Sequence, residues 1–477
     1  MRQAVRRAVL WRSGGQALVQ LVTWASTLLV IRLLAPADYG LMALVQLVVG
    51  LLVQLGGQGL ATALVAREPL ERGDVARAFG ALLLLGLALA GLQVAAAPAI
   101  AAFYREPRLV ELLRVMAIAY PLQALSAIPF ALNQRELDFR RTALVEGTSA
   151  ITQSLAMLAM ALAGLGVWAL ALGQIAGAVA RALGHLLARR WLVWPDLRVW
   201  RSLGLMRFGW TVTLNGLLFY ALAQAPVLAG GRLMSTAQLG LYSTAFFLAA
   251  LPAARFLPLL SEVGLAAYAR AREESGAVAW GFRLVTRAVA LAVFPLFAGL
   301  AATAPDAAPV LLGRQWAPAA PLFVALGLAM PFYTLFCLMG PPAYGLGRPL
   351  VQTRILIVAL ALMGLWLLWL ALRPGAPDGL ALALGWLAVM LPALGVAAAI
   401  TLGLVGVSAR QFLADAGPPL VAAALMGLMV HALRPWLPGP PALRLALCVA
   451  AGAGLYLGLA RLLAPVALRD LLGLVRR

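Results

Sequence analysis

No lysine occurs in the 477 residues, so all 37 basic side chains are arginine. Acidic residues number only 17, and charged residues together make up 11% of the chain. A soluble globular domain carries about 25% charged residues, so this composition excludes that class. Cysteine and histidine are each present twice, as Cys337, Cys448, His185 and His431. The cysteines sit alone in separate apolar runs and the histidines alone near the ends of others, which yields no disulfide framework and no metal cluster. The regular polar–apolar alternation of a membrane barrel strand is also missing. The lack of lysine itself reads as codon preference rather than function.

What the chain does have is apolar surface. Hydrophobic residues make up 63%, arranged in runs mostly of 20 residues or more. Such runs suit helices crossing a hydrocarbon layer of about 30 Å. The expected fold class is therefore an all-α polytopic membrane protein with about 14 transmembrane helices. Their centres fall near residues 23, 52, 90, 120, 153, 177, 219, 249, 292, 329, 361, 390, 424 and 453.

The net charge is +20 and the pI near 11.5. Such values can mark a nucleic-acid binder, but here the position of each arginine along the chain decides the meaning. Sorting the arginines onto alternating sides of the expected spans gives 28 on one side and 9 on the other. The positive-inside tendency then places both termini in the cytoplasm and leaves no nucleic-acid partner to invoke. The opening Met-Arg-Gln-Ala-Val-Arg-Arg resembles the basic start of a signal peptide. The following Gly14 to Leu34 is too long and too polar for a cleaved leader, and reads as an uncleaved first span.

Residues Arg32 to Met42 return two hundred positions later as Arg232 to Tyr242. Arg32/Arg232, Leu33/Leu233, Ala37/Ala237, Gly40/Gly240 and Leu41/Leu241 are identical at one offset. A second echo pairs Ala117-Ile118-Ala119-Tyr120-Pro121 with Gly327-Leu328-Ala329-Met330-Pro331. The chain thus reads as a duplication with an even number of spans per copy. That makes the copies two parallel six-helix lobes around a central cavity, plus two extra C-terminal helices. The expected boundaries are 1–200 for the N-terminal lobe, 201–405 for the C-terminal lobe, and 406–477 for the two added helices and a cytoplasmic tail.

Four stretches carry a family resemblance. They are the Arg-Leu-Leu-Ala-Pro-Ala-Asp-Tyr-Gly-Leu turn from Arg32, the Asn133 to Arg141 loop, the Gly164 to Gln174 hairpin, and Leu312-Gly313-Arg314-Gln315-Trp316. Together they resemble the polysaccharide-transport, or lipid-linked oligosaccharide flippase, branch of the multidrug/oligosaccharidyl-lipid/polysaccharide exporter superfamily. The resemblance runs over roughly residues 5 to 405. It implies a flippase in a bacterial inner membrane with no chemistry and no cofactor of its own. By alternating access it would turn an undecaprenyl-diphosphate-linked oligosaccharide from the cytoplasmic to the outer leaflet, for exopolysaccharide, capsule or O-antigen assembly. Membrane lipids, and the glycosyltransferases and polymerase of the same pathway, would be its partners.

Such a cargo joins an anionic pyrophosphate and a polar sugar to a long apolar tail, and so calls for cations and hydrogen-bonding groups within the membrane. Arg255, flanked by Pro252 and Pro258, lies inside an apolar run, where a charge costs at least ~2.5 kcal/mol unless it faces a cavity or a partner. Two readings stand for it: bidentate phosphate recognition, or an ion pair with Glu262. Arg12, Gln16 and Gln20 share one helical face, which suits either cavity lining or helix–helix hydrogen bonding. Gln46, Asn215, Tyr220 and Gln224 are further cavity candidates. Glu146 is a candidate for ion coupling or for an interfacial salt bridge with Arg140 and Arg141. Arg32 and Arg232 are gate candidates, or else snorkelling residues at helix ends.

Two other classes of protein would leave different marks on the sequence. A multidrug exporter of the same superfamily would need an acidic residue in mid-span one, and none is there. A glycan polymerase would need a large outer loop, whereas the longest expected one, about Ala304 to Trp316, offers only Asp306 and Arg314. A non-transporting scaffold of a polysaccharide assembly complex leaves no distinguishing mark on the sequence.

Overall fold

The computed structural model describes residues 19–55, 72–136, 138–189, 193–196, 210–270, 276–375 and 377–476, with side chains undescribed at 72, 139, 210, 212, 255–270 and 471–476. No strand occurs among the described residues. Seventeen helices are named here in chain order: α1 (Val19–Leu33), α2 (Pro36–Leu55), α3 (Arg72–Tyr104), α4 (Leu109–Met116), α5 (Ala119–Arg135), α6 (Phe139–Leu162), α7 (Val167–Arg189), α8 (Trp210–Leu233), α9 (Thr236–Arg270), α10 (Ala277–Ala307), α11 (Ala320–Leu338), α12 (Pro341–Gly345), α13 (Pro349–Leu372), α14 (Gly379–Val405), α15 (Ala409–Leu433), α16 (Pro441–Leu463) and α17 (Pro465–Arg476). Among the described residues, 12 helical segments are long and apolar enough to cross a membrane. Helices α1 and α6 occupy the two remaining expected positions. The described part of α1 is short, and α6, at 24 residues, carries Arg140, Arg141, Glu146 and several hydroxyl side chains.

The repeated eleven residues form the same turn in both places. Helix α1 stops at Leu33 and α2 starts at Pro36; α8 stops at Leu233 and α9 starts at Thr236. Different polar groups close the two turns. In the first, the Asp38 carboxylate accepts from the Ala35 N–H at 3.1 Å. In the second, the Ser235 hydroxyl accepts from the Gln238 N–H at 3.3 Å. These are the two halves of a capping box, used one at a time. Leu41 and Leu239 are fully buried beneath the turns.

The chain divides into two compact units, residues 1–217 and 218–477. In the first unit, Val75, Ala78, Phe79 and Leu82 of α3 meet Ala124 and Ile128 of α5 in one apolar cluster. Helices α6 and α7 form a close hairpin. A Cβ on Gly173 would lie 2.8 Å from the Met157 Cβ, and one on Gly177 would lie 2.7 Å from the Gln153 Cβ. Small residues at this spacing let two membrane helices approach backbone to backbone. The span expected near residue 120 is broken into α4 and α5 at Ala117–Ile118, just before Pro121, while Pro129 lies inside α5.

In the second unit, α10 is the central post, with α9, α11, α15, α16 and α17 packed on it. Of the apolar window in Arg314–Gly345, which contains α11, 78% is buried, against 17% for α16, so α11 is core and α16 is periphery. Trp386 of α14, fully enclosed, donates its indole N–H to the Tyr242 hydroxyl at 2.7 Å, tying α14 to the second copy of the repeated turn. The junction into the last helices is locally encoded. Gly406 takes φ 72 to end α14, and Ser408 with Gln411 forms a complete capping box to start α15. The helices beyond residue 406 therefore pack within the second unit, against α10.

Candidate functional site

The structure distributes the sequence-derived candidates over several helices. Arg12 and Gln16 lie outside the described residues. Arg255 and Glu262 belong to α9, but their side chains are likewise outside what is described. Gln20 is half-buried near the start of α1. Gln46 of α2 donates its side-chain amide to Gln174 of α7, a hydrogen bond between two helices. Along α8, Asn215 is buried and Tyr220 and Gln224 are half-buried. Tyr220 and Gln224, four residues apart, share a helical face, whereas Asn215 is turned roughly 140° away from Tyr220. These three candidates therefore do not make a single stripe. Arg32 and Arg232 are exposed beside their turns.

Glu146 has different partners from those the sequence suggested. Its carboxylate pairs with Arg181 at 3.2 Å and with His185 at 3.3 Å, both on α7, while Arg141 pairs with Asp138 at 3.1 Å. On a helix, Arg141 lies five residues from Glu146 and faces elsewhere, whereas α7 runs directly alongside. His185, read from sequence as a lone residue, is fully enclosed. Phe130 of α5 stands edge-on to its ring at 5.6 Å. Its Nε2 faces Glu146 and its Nδ1 is buried without a hydrogen-bond partner. One turn further on, Arg189 joins Asn133 at 3.1 Å to Glu136 beyond the end of α5. Glu146 thus ties α6 to α7, and Glu136 with Asn133 ties the end of α5 to α7. Glu146 is 40% exposed, whereas the imidazole it meets is fully enclosed.

The second unit contains ion clusters that the sequence reading missed. At one end of α10, Arg283 grips Asp415 of α15 through two hydrogen bonds of 2.6 and 3.1 Å. Arg287 reaches the same carboxylate at 3.3 Å and Asp470 of α17 at 2.9 Å. At the other end, Asp306 pairs with Arg434, just after α15, and with Arg444 of α16 at 2.7 Å. Asp306, expected in an outer loop, is instead inside α10 and only 2% exposed. Arg283 and Asp306 are separated by roughly 35 Å of helix. That exceeds the ~30 Å hydrocarbon layer, so the two clusters belong to opposite membrane faces. Each partner lies more than a hundred residues from α10 in sequence, which is why local spacing gave no signal.

Comparison with known proteins adds the following. Residues 29–321 match a family model described as "Polysaccharide biosynthesis protein". The chain is 30% identical to the succinoglycan biosynthesis transport protein ExoT of Rhizobium meliloti, over 84% of this chain and 81% of that one. It is 22% identical to the lipopolysaccharide biosynthesis protein WzxC of Escherichia coli, over 68% and 63% of the two chains. In fold it is similar to the lipid II flippase MurJ in an inward closed conformation. The TM-score is 0.72 at 12% identity, covering 95% of this chain and 98% of that one. An inward-facing multidrug resistance transporter of the MATE family gives a TM-score of 0.58 at 16% identity, over 82% and 96% of the chains.

Proposed function

We infer that this chain, which belongs to the polysaccharide biosynthesis protein family and to the wider superfamily of multidrug, oligosaccharidyl-lipid and polysaccharide exporters, is a flippase for lipid-linked oligosaccharides. The observation that carries this reading is the similarity to a succinoglycan transport protein over 84% of this chain and 81% of that one. The cargo we assign is an undecaprenyl-diphosphate-linked repeat unit, moved by alternating access from the cytoplasmic to the outer leaflet of a bacterial inner membrane. The arginine asymmetry of 28 to 9 supports cytoplasmic termini.

The physical requirements of that cargo assign roles to the candidates. Arg255, in an apolar stretch of α9 interrupted by two prolines, is the proposed contact to the pyrophosphate. Arg12, Gln16 and Gln20, at i, i+4 and i+8 in the sequence, are the proposed polar groups for the head group, with Tyr220 and Gln224 on α8 as further hydrogen-bonding groups. Glu146, with Arg181 and His185 against it, is the proposed point of ion coupling, because it is an acidic side chain of a membrane helix that is partly open to water. Arg32 and Arg232, exposed at identical turns, are the proposed gate residues.

The test is translocation by the purified chain in proteoliposomes loaded with a fluorescent polyprenyl-diphosphate oligosaccharide. The expected outcome is protein-dependent loss of fluorescence to an outside quencher or hydrolase. No translocation above empty vesicles would reject the flippase reading. Arg255→Ala is expected to slow transport at least ten-fold; parental speed would remove the phosphate contact while leaving the transport function in place.

A further inference from the structure

Helices α13 and α14 enclose a trough on the outer surface of the second unit, with a volume of about 380 Å³. Its lining is Leu362, Leu365, Trp366, Trp369, Ala388 and Val389, all apolar. Two features separate it from an ordinary lipid-facing helix surface. First, its indole wall is fixed in place. Trp366 donates its ring N–H to the Ala381 carbonyl at 3.2 Å, and its ring lies where α14 has a glycine; a Cβ on Gly385 would fall 2.4 Å from the Trp366 Nε1. Trp369 packs against Trp366 with ring centroids 5.0 Å apart and planes at 40°. Second, the trough leads to a cation. The Arg373 guanidinium sits over the Trp369 ring, 5.5 Å from its centroid, just past the end of α13.

We propose that this trough is a binding site for one anionic membrane phospholipid, with an acyl chain against the two indoles and the phosphate at Arg373. Length selects the occupant. From Leu362 to Arg373, α13 rises roughly 16 Å. That is about half of a ~30 Å hydrocarbon layer, the depth of one leaflet. A leaflet lipid fits this span with its head group level with the guanidinium, while a much longer polyprenyl chain would overrun it. Charge selects the head group. Arg373 is exposed at the end of its helix, and Arg-to-phosphate pairing is short, charge-assisted and available in a forked geometry. The leucines that flank the trough, Leu368 at 54% and Leu372 at 75% exposure, keep the rest of the face in general contact with lipid. The site is distinct from the proposed cargo contacts and does not depend on the flippase reading.

Native mass spectrometry of the full-length protein in detergent, titrated with phosphatidylglycerol or phosphatidylcholine, tests the assignment. One phosphatidylglycerol should bind at least five-fold more tightly than phosphatidylcholine. Ala388→Trp, which fills the trough from an exposed position, should weaken both lipids at least five-fold. Arg373→Gln should abolish the preference for phosphatidylglycerol while leaving the weaker binding intact. A thermal melt of each variant checks that it is folded, and Arg373→Gln serves alone if Ala388→Trp is not. Parental binding by the folded variants would overturn the site. Stoichiometric displacement of phosphatidylglycerol by a polyprenyl phosphate would overturn the choice of occupant, making the trough a seat for the cargo tail.

Discussion

Helices α3 and α10 each follow one copy of the repeated turn and its hairpin, and they are anchored by different chemistry. On α3 the deepest polar contact is neutral. Gln93, 1% exposed, accepts from the Tyr120 hydroxyl of α5 and donates to the Leu113 carbonyl of α4 at 2.6 Å. The ion pair on α3, Asp74 with Arg77, stays within the helix. On α10 the charges sit near both ends and all reach outward, to α15, the segment after it, α16 and α17. The neighbours of α3 are held by amide and hydroxyl groups; the helices beyond residue 406 are held to α10 by carboxylates and guanidiniums. Buried ion pairs add little net stability over well-packed apolar groups, but losing one partner is costly. Such contacts are well suited to fixing where an added helix docks.

The contrast can be tested by substitution. Asp306→Ala leaves Arg434 and Arg444 facing each other without a counter-charge, and should cost about 3–5 kcal/mol. A thermal melt of the detergent-solubilised protein should show this as the largest drop among the variants here. Gln93→Leu removes the hydrogen bonds to the Tyr120 hydroxyl and the Leu113 carbonyl, for which ~1–3 kcal/mol is expected. If Gln93→Leu proves the more damaging, the division into neutral and ionic anchoring fails. The smallest effect belongs to Glu106, in the turn before α4. Arg108 donates to its carboxylate at 2.8 Å, and this hydrogen bond holds the Glu106 carboxyl below the usual carboxylate range. Because the folded value is the lower one, the pair stabilises above the unfolded carboxylate value of ~4.3 and is lost as pH falls through the folded value. The parent and Glu106→Gln should differ by at most ~1 kcal/mol at pH 7 and converge in acid, as read from melts across pH.

The membrane helices were legible because apolar run length is a local property, and the repeated turn because both copies kept their spacing. The break at Ala117–Ile118 was only half legible: proline at 121 announced a disturbance but not its position. The ion clusters on α10 were not legible. A helical sequence exposes neighbours three and four residues away, whereas Asp306 meets partners 128 and 138 residues distant. His185 failed for the same reason, since its carboxylate is 39 residues back on the adjacent helix. Asp306 itself was visible as an acid beside a long apolar run, and asking which arginines could neutralise it would have been the way in.

The turn between α1 and α2 leaves only Leu34 and Ala35 outside helix. Two residues reach at most ~7 Å, so the facing ends of α1 and α2 stay within that distance however the helices tilt. The two therefore move through any rearrangement as one hairpin, and α8 with α9 likewise. A reporter domain spliced between Leu34 and Ala35 would remove that tether. The same insertion between Pro374 and Gly375 would lengthen a connection that already reaches up to ~20 Å.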